Sequence, residues 1–165
     1  MTSWRPAPRI RLKALGLHWR GDRLLAAEVL DDAGRVKGVR PLGGSVEFGE
    51  TAEAAVLREF REELGITVET TGIPFFMENI YSHDGTAGHE ILAIFDVVFD
   101  ADIFADATRI EFPEGDGTTC FAAWFALDTL DAPDGPQLYP HGLKAHLLKD
   151  RGPGALPGTN RILPD

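Results

Sequence analysis

The chain has 165 residues, of which 44% are hydrophobic and 25% charged, a composition typical of one globular domain rather than a disordered polypeptide. Its formal net charge of −10 argues against long nucleic acids and anionic membranes as partners, because an acidic surface repels their phosphates. A small phosphorylated ligand remains compatible with this charge, since a bound metal ion can reverse the local field.

The cysteine content and the N-terminal segment predict a cytoplasmic protein. Cys120 is the only cysteine, which excludes an internal disulfide and suits a reducing compartment. The first nine residues carry arginine and proline with no apolar segment behind them, so we expect no secretory signal. The longest apolar run, residues 91–99, is interrupted by Asp96 and is too short to cross a bilayer.

Alternating apolar and polar residues predict strands in the first part of the chain. We expect strands over residues 10–18 and 24–30, followed by a shorter strand through Val36 and Val39. Turn sequences containing glycine and aspartate separate these strands. Residues 41–44 then end the strand-like region and predict a glycine-bearing loop.

The clearest predicted element is a helix over residues 52–64. Thr51 can cap its first turn, and Gly65 stands where a C-terminal cap belongs. Apolar residues recur at helical spacing, so one face is expected to pack on the core. These residues are Val56, Leu57, Phe60 and Leu64.

The second half of the chain predicts a hairpin, a strand and a short helix. Strands are expected over residues 73–81 and 89–99, joined by a turn-rich connection over residues 82–88. A further strand is expected over residues 121–125, and a final helix over residues 142–149.

The chain is expected to form one domain with two tails. Residues 10–150 contain all the periodic segments and show no repeat or linker that would justify a second domain. Residues 1–9 are a predicted N-terminal tail. Residues 151–165 carry three prolines and three glycines and are a predicted irregular tail.

Three carboxylates cluster at the end of the predicted helix. Glu59, Glu62 and Glu63 are spaced i, i+3 and i+4, so their side chains share one face. They lie in the last turn, where the helix dipole is also negative, and they repel one another unless a cation is present. A hard divalent cation with oxygen ligands is the expected occupant.

The alternative is a solvated acidic face that Arg58 and Arg61 partly neutralise, because most charge runs on helices are surface. The glycines before the helix favour the metal site. The backbone at Gly43 and Gly44 can approach an ion closely because no side chain intervenes, so a carbonyl could join the carboxylates.

The loop and the helix together follow one spaced pattern. Its fixed positions are Gly44, Glu50, Arg58, Glu59, Glu62, Glu63, Gly65 and the aliphatic Ile66. Over residues 44–66 this pattern matches the Nudix box throughout, and the chain therefore resembles the Nudix hydrolases. Phe60 is the one mild departure, since Ile, Leu or Val is more usual there, and we expect it to change only the packing.

The resemblance implies an α/β fold, a Nudix-type α/β/α sandwich with a mixed β-sheet and the box as loop–helix–loop. It also implies a pyrophosphohydrolase that uses Mg²⁺ (or Mn²⁺) and directs water at a phosphorus of a diphosphate. The expected partner is a small nucleoside-diphosphate-linked substrate, and a homodimer is one expected assembly. Long nucleic acid and membranes are not expected partners.

The resemblance also implies roles for single residues. The expected metal ligands are Glu59, Glu62, Glu63 and the carbonyl of Gly43. Glu50 is expected to pair with Arg58 and to hold the loop and the helix in register. One carboxylate of the box could serve as general base. Glu59 and Glu62 are candidates, and the choice is left open.

Four residues outside the box are further candidates. Glu90 stands at the start of a predicted strand and shares one face with Leu92 and Ile94, which look buried. We therefore expect Glu90 to point inward, with the box metals as its nearest cation and a role as general base. An exposed strand-edge carboxylate is the alternative. Tyr81, His83 and His89 are candidate substrate contacts, against the alternative that they are ordinary core or surface residues.

Two other functions are weighed. A non-catalytic, nucleotide-binding regulatory module of this fold usually lacks box glutamates, whereas this chain has all of them. An allylic diphosphate isomerase uses a cysteine and a glutamate, but the surroundings of Cys120 differ from that family. Family subtype marks are mostly missing. Pro74 stands too early for an ADP-ribose-cleaving member, and Tyr81 is close to the spacing of the dinucleoside-polyphosphate members without matching it. The sequence leaves the substrate open.

Overall fold

The computed structural model describes residues 4–151, which form ten strands and two helices. The strands are β1 (Ile10–Leu17), β2 (Trp19–Arg20), β3 (Arg23–Leu30), β4 (Val36–Arg40), β5 (Leu42–Ser45), β6 (Glu69–His83), β7 (Thr86–Val98), β8 (Ile110–Pro113), β9 (Thr119–Ala126) and β10 (Gln137–Leu138). The helices are α1 (Ala52–Leu64) and α2 (Leu143–Arg151). No helix among the described residues is long and apolar enough to cross a membrane.

The strands form two mixed sheets, which confirms the predicted α/β class. One sheet has the order β5-β1-β7-β6, in which β1 and β7 run parallel and the other pairs antiparallel. The other has the order β10-β4-β3-β9-β8, and β2 pairs with β3 at its side. The difference from the expectation is that the β-structure is divided between two sheets.

Two hydrophobic clusters lie on opposite faces of β1. Ala14 belongs to the cluster that α1 covers, whereas Leu15 and Leu17 belong to the cluster that contains α2. This division follows from the alternation of side chains along a strand. The same alternation decides which charged residues of β1 face the interior.

The predicted helix α1 is confirmed, together with both caps. The Thr51 hydroxyl accepts a hydrogen bond from the Ala54 amide (3.1 Å), and Gly65 adopts the left-handed conformation while donating to the Arg61 carbonyl (3.0 Å). Phe60 is fully buried, and its ring fills the space left by the missing side chain of Gly16. The departure at Phe60 is therefore a packing adjustment, as expected.

Several predicted bounds are wrong. Residues 42–45 form β5 and not a loop, because backbone pairing with β1 does not require a side-chain pattern. The hairpin connection is only Asp84-Gly85, both with positive φ, so the turn is tight and the ladder extends to His83 and Thr86. The strands β2, β8 and β10 are too short to be recognised by alternation.

The predicted tails are described only in part. Residues 152–165 of the C-terminal tail and residues 1–3 of the N-terminal tail lie outside the described residues. Within the N-terminal segment, Pro6 is buried and Arg5 forms an ion pair with Asp32 (2.6 Å). The single-domain assignment to residues 10–150 stays a prediction.

Candidate active site

The strand β5 and the helix α1 meet through Gly44 and Glu59. A side-chain carbon at Gly44 would collide with the Glu59 carboxylate, so this carboxylate occupies the space that any other residue at position 44 would fill. Glu59 is half-buried there and accepts a hydrogen bond from Arg58 (Nη1 to Oε1, 3.0 Å). The glycine therefore allows a carboxylate to lie directly against the backbone of β5.

Arg58 ties the loop to the helix. Its guanidinium donates two hydrogen bonds to Glu50, at 2.8 and 3.1 Å, which confirms the predicted pair. It also donates to the Ser45 carbonyl and to the Glu62 carboxylate, each at 3.0 Å. Hydrogen bonds from Arg58 lower the pKa of Glu50. These hydrogen bonds from Arg58 hold the loop against α1.

Glu63 has a carboxylate oxygen with no partner. Its Oε2 atom is buried and has no hydrogen-bond donor among the described residues. Burial raises the pKa of Glu63 to about 8, although the charges of Arg40 and Lys13 act in the opposite direction. An ionised carboxylate in such a place is costly unless a cation or a donor reaches it.

The other two helix carboxylates have different surroundings. Burial raises the pKa of Glu59 despite its contact with Arg58, whereas the Glu62 side chain is 58% exposed. Glu114, which follows β8, adds negative charge near both Glu59 and Glu63. Sequence reasoning did not include Glu114, because only the pairing of β8 with β9 brings it to the end of α1.

The three glutamates share a helix face, but their oxygens do not converge on one point. The only group of potential ligand atoms within 4.8 Å of one another in the described part of the chain is Asp32, His83 and Asp84. That group already has a cation, since Arg5 donates two hydrogen bonds to Asp32. In the box, Arg58 holds Glu59 and Glu62 toward itself and away from a common centre with Glu63.

Gly43 lies in β5, the edge strand of its sheet, opposite Leu15 of β1. It has φ of 140°, and a side chain there would collide with the backbone of β1, so the close approach of β5 to β1 requires glycine.

Comparison with family models matches the NUDIX domain over residues 20–144, which include the loop, α1 and the hairpin. The chain belongs to the Nudix family. The family assignment confirms the predicted enzyme class, a pyrophosphohydrolase.

Solved structures show the same Nudix fold. The MutT NUDIX hydrolase from Burkholderia pseudomallei is 23% identical, with 85% of this chain and 98% of that chain covered and a TM-score of 0.56. The ORF135 protein of E. coli is 18% identical, with 88% and 95% covered and a TM-score of 0.52. A NUDIX hydrolase from Nitrosomonas europaea is 22% identical, with 73% and 74% covered and a TM-score of 0.50. A comparison with curated proteins found no significant match.

Glu90 points inward, as expected, but the expectation that the box metals are its nearest cation is wrong. The residue is 7% exposed, and its Oε1 atom accepts from Arg11 at 2.7 Å and lies 3.5 Å from the Lys13 ammonium. These two side chains of β1, and not the metal site of the Nudix box, are its nearest cations. The sequence could not show this, because the parallel pairing of β1 with β7 is set by the sheet order.

The three candidate substrate contacts are not brought together. The Tyr81 hydroxyl accepts from Arg11 (2.7 Å) and lies 3.3 Å from the Glu90 carboxylate. His83 lies at the hairpin tip against Lys37 (2.8 Å), and burial lowers its pKa. His89 contacts Glu78 (2.8 Å) on the opposite face of the sheet from Glu90.

An open apolar depression of about 390 Å³ lies beside His89, between the N-terminal segment and the hairpin. It is lined by Ala7, Pro8, Arg9, Ile10, Ile80, Ala87, Gly88 and His89. None of the predicted metal ligands of the Nudix box lines this depression.

Proposed function

We propose that this Nudix hydrolase cleaves a phosphoanhydride bond in a small nucleoside-diphosphate-linked molecule and depends on Mg²⁺ (or Mn²⁺). The observation that carries the proposal is the unpartnered, buried oxygen of Glu63 at the end of α1, next to two further carboxylates. The family assignment supplies the reaction class, and the metal and the substrate are the additional steps.

The residues present fit a hard divalent cation. The donor set consists of the carboxylates of Glu59, Glu62 and Glu63 and the Gly43 carbonyl, all of them oxygen ligands of the kind that Mg²⁺ prefers. Glu63 Oε2 has no hydrogen-bond partner among the described residues. Glu62 is exposed, so it can leave Arg58 at small cost. A bound divalent ion would neutralise diphosphate oxygens, lower the pKa of water and stabilise the leaving phosphate.

The chain's own residues position this chemistry. Arg58 and Glu50 fix the loop on the helix, so the Gly43 carbonyl keeps its place relative to the α1 carboxylates. Gly44 keeps the space in which Glu59 lies. The general base stays a choice between the box carboxylates and Glu90, which Arg11 and Lys13 hold in one orientation.

The charge of the chain supports a small phosphorylated substrate. A net charge of −10 disfavours long nucleic acids, whereas a local cation allows a small phosphorylated substrate. The Tyr81 hydroxyl lies 3.3 Å from the buried Glu90, which makes Tyr81 the favoured candidate for a substrate contact. The homodimer and the cytoplasmic location stay predictions.

The test is a panel of nucleoside diphosphate sugars, dinucleoside polyphosphates and nucleoside triphosphates, assayed with Mg²⁺, with Mn²⁺ and with EDTA. Metal-dependent release of a mononucleotide or of pyrophosphate from at least one class supports the proposal, and the product identifies the bond that is cut. Hydrolysis that EDTA leaves unchanged, or no hydrolysis in any class, would contradict it.

A further inference from the structure

Two cationic side chains near the box carboxylates have weak acidic contacts. Lys13, on β1, is 7% exposed, and its ammonium lies 3.5 Å from Glu90 Oε1. Arg40, the last residue of β4, is one-third exposed, and its guanidinium lies 4.0 Å from Glu114 Oε1. Charge-assisted hydrogen bonds are shorter, about 2.7–2.9 Å, so neither cation is fully paired with a carboxylate of the described residues.

Lys13 lies opposite Ser45 of β5, the neighbour of Gly44, against which the Glu59 carboxylate packs. Arg40 stands two residues before the start of β5. Burial and then the charge of Arg40 lower the pKa of Lys13 to about 8. The charges of Arg40 and Lys13 both oppose the effect of burial on Glu63. Like charges in a partly desolvated place repel, so an arrangement of this kind is stabilised when an anion binds to it.

Arg11 has shorter contacts than Lys13 and Arg40. It stands two residues before Lys13 on the same face of β1, and its Nη2 atom donates to Glu90 and to Tyr81 at 2.7 Å each. Its buried Nε has no hydrogen-bond partner among the described residues. Lys13 and Arg40 form no ion pair this short with a described residue and keep donors available, since an ammonium has three and a guanidinium five.

We propose that Lys13 and Arg40 bind non-bridging oxygens of the substrate's diphosphate beside the carboxylates of α1. Phosphate oxygens are strong acceptors and match the donors of both side chains. This inference rests on the proposed function and assigns the phosphate-binding residues of the same site. It also explains why a strongly acidic chain places two incompletely paired cations at this position.

The test is the affinity for a non-hydrolysable α,β-methylene nucleoside diphosphate, measured by calorimetry with Mn²⁺ present. The variants are Lys13→Met, which keeps the apolar stem, Arg40→Gln and Arg40→Lys. The control is Arg35→Gln, because Arg35 is 80% exposed and contacts only Asp31 among the described acidic residues. We expect Arg40→Gln and Lys13→Met each to lose affinity by roughly tenfold or more, with Arg40→Lys losing less and Arg35→Gln unchanged.

Two further measurements separate this inference from a structural role and from the proposed function. The rise in melting temperature with Mn²⁺ should survive in Arg40→Gln, and its KM should rise more than its kcat falls. Affinities within twofold of wild type for both Lys13→Met and Arg40→Gln, or an analogue that wild type does not bind, would overturn the inference. Binding without turnover by wild type would instead contradict the proposed function alone.

Discussion

Replacing Glu63 by glutamine should change how the stability of the metal-free protein depends on pH. Burial raises the pKa of Glu63 from 4.5 to about 8 in the folded protein. Between these values the native state holds a proton that the unfolded chain has lost, so the free energy of unfolding falls as the pH rises. Glutamine has no such proton and removes this dependence.

The size of the effect follows from the same pKa. A rise from 4.5 to about 8 corresponds to roughly 5 kcal/mol of lost stability once the group is ionised, with about 3 kcal/mol already lost at pH 7. The glutamine amide would leave a polar group unsatisfied next to the buried position of Oε2, which costs about 1–3 kcal/mol. This cost does not vary with pH, so the change with pH isolates the carboxylate.

The assay is urea unfolding in EDTA between about pH 4.5 and about pH 8.5, for wild type, Glu63→Gln and the control Glu111→Gln. Glu111 is exposed on β8 and faces solvent. Relative to wild type, Glu63→Gln should gain several kcal/mol across this range, whereas Glu111→Gln should run parallel to wild type. Parallel curves for all three proteins would refute the assignment of a buried, unpartnered carboxylate.

Further predictions concern the same site. Millimolar Mg²⁺ or Mn²⁺ should raise the melting temperature of wild type by mass action, and melting curves indifferent to metal would favour a solvated acidic face. Without metal, Glu59→Gln should melt at a higher temperature than wild type because it removes a half-buried charge. Gly44→Ala should displace the Glu59 carboxylate and weaken Mn²⁺ binding in calorimetry, and unchanged affinity would count against that contact. Glu90→Gln should lower kcat more than it raises KM, while the metal-induced rise in melting temperature survives. If kcat and the pH–rate profile of Glu90→Gln match those of wild type, the role of Glu90 is only to bind Arg11 and Lys13.

The sequence was sufficient for α1 because several local signals agree there. The Thr51 cap, the helical spacing of the apolar residues and the Gly65 terminator each depend only on neighbours along the chain. The same spacing placed Glu59, Glu62 and Glu63 on one face. β5 was missed because Gly43 and Gly44 have no side chains from which alternation can be read, and its pairing with β1 depends on backbone alone.

The surroundings of the site required the structure. Alternation along β7 predicted that Glu90 points inward, but its partner Arg11 lies opposite it only because β1 and β7 run parallel as neighbours. Arg40, on β4 of the other sheet, contributes to lowering the pKa of Lys13 and opposes the rise in the pKa of Glu63. Glu114, which follows β8, contributes to that rise. Interactions of this kind join distant parts of the chain and leave no periodic signal in the sequence.

The most direct test of the account is the turnover of Glu63→Gln, compared with wild type and Glu111→Gln, on the best nucleoside-diphosphate-linked substrate in the presence of Mg²⁺. The account predicts that wild type and Glu111→Gln are equally active, that EDTA abolishes both activities, and that Glu63→Gln loses on the order of 10³-fold in kcat while staying folded. Turnover by Glu63→Gln within a few-fold of wild type would contradict the assignment of the metal site to the carboxylates of α1.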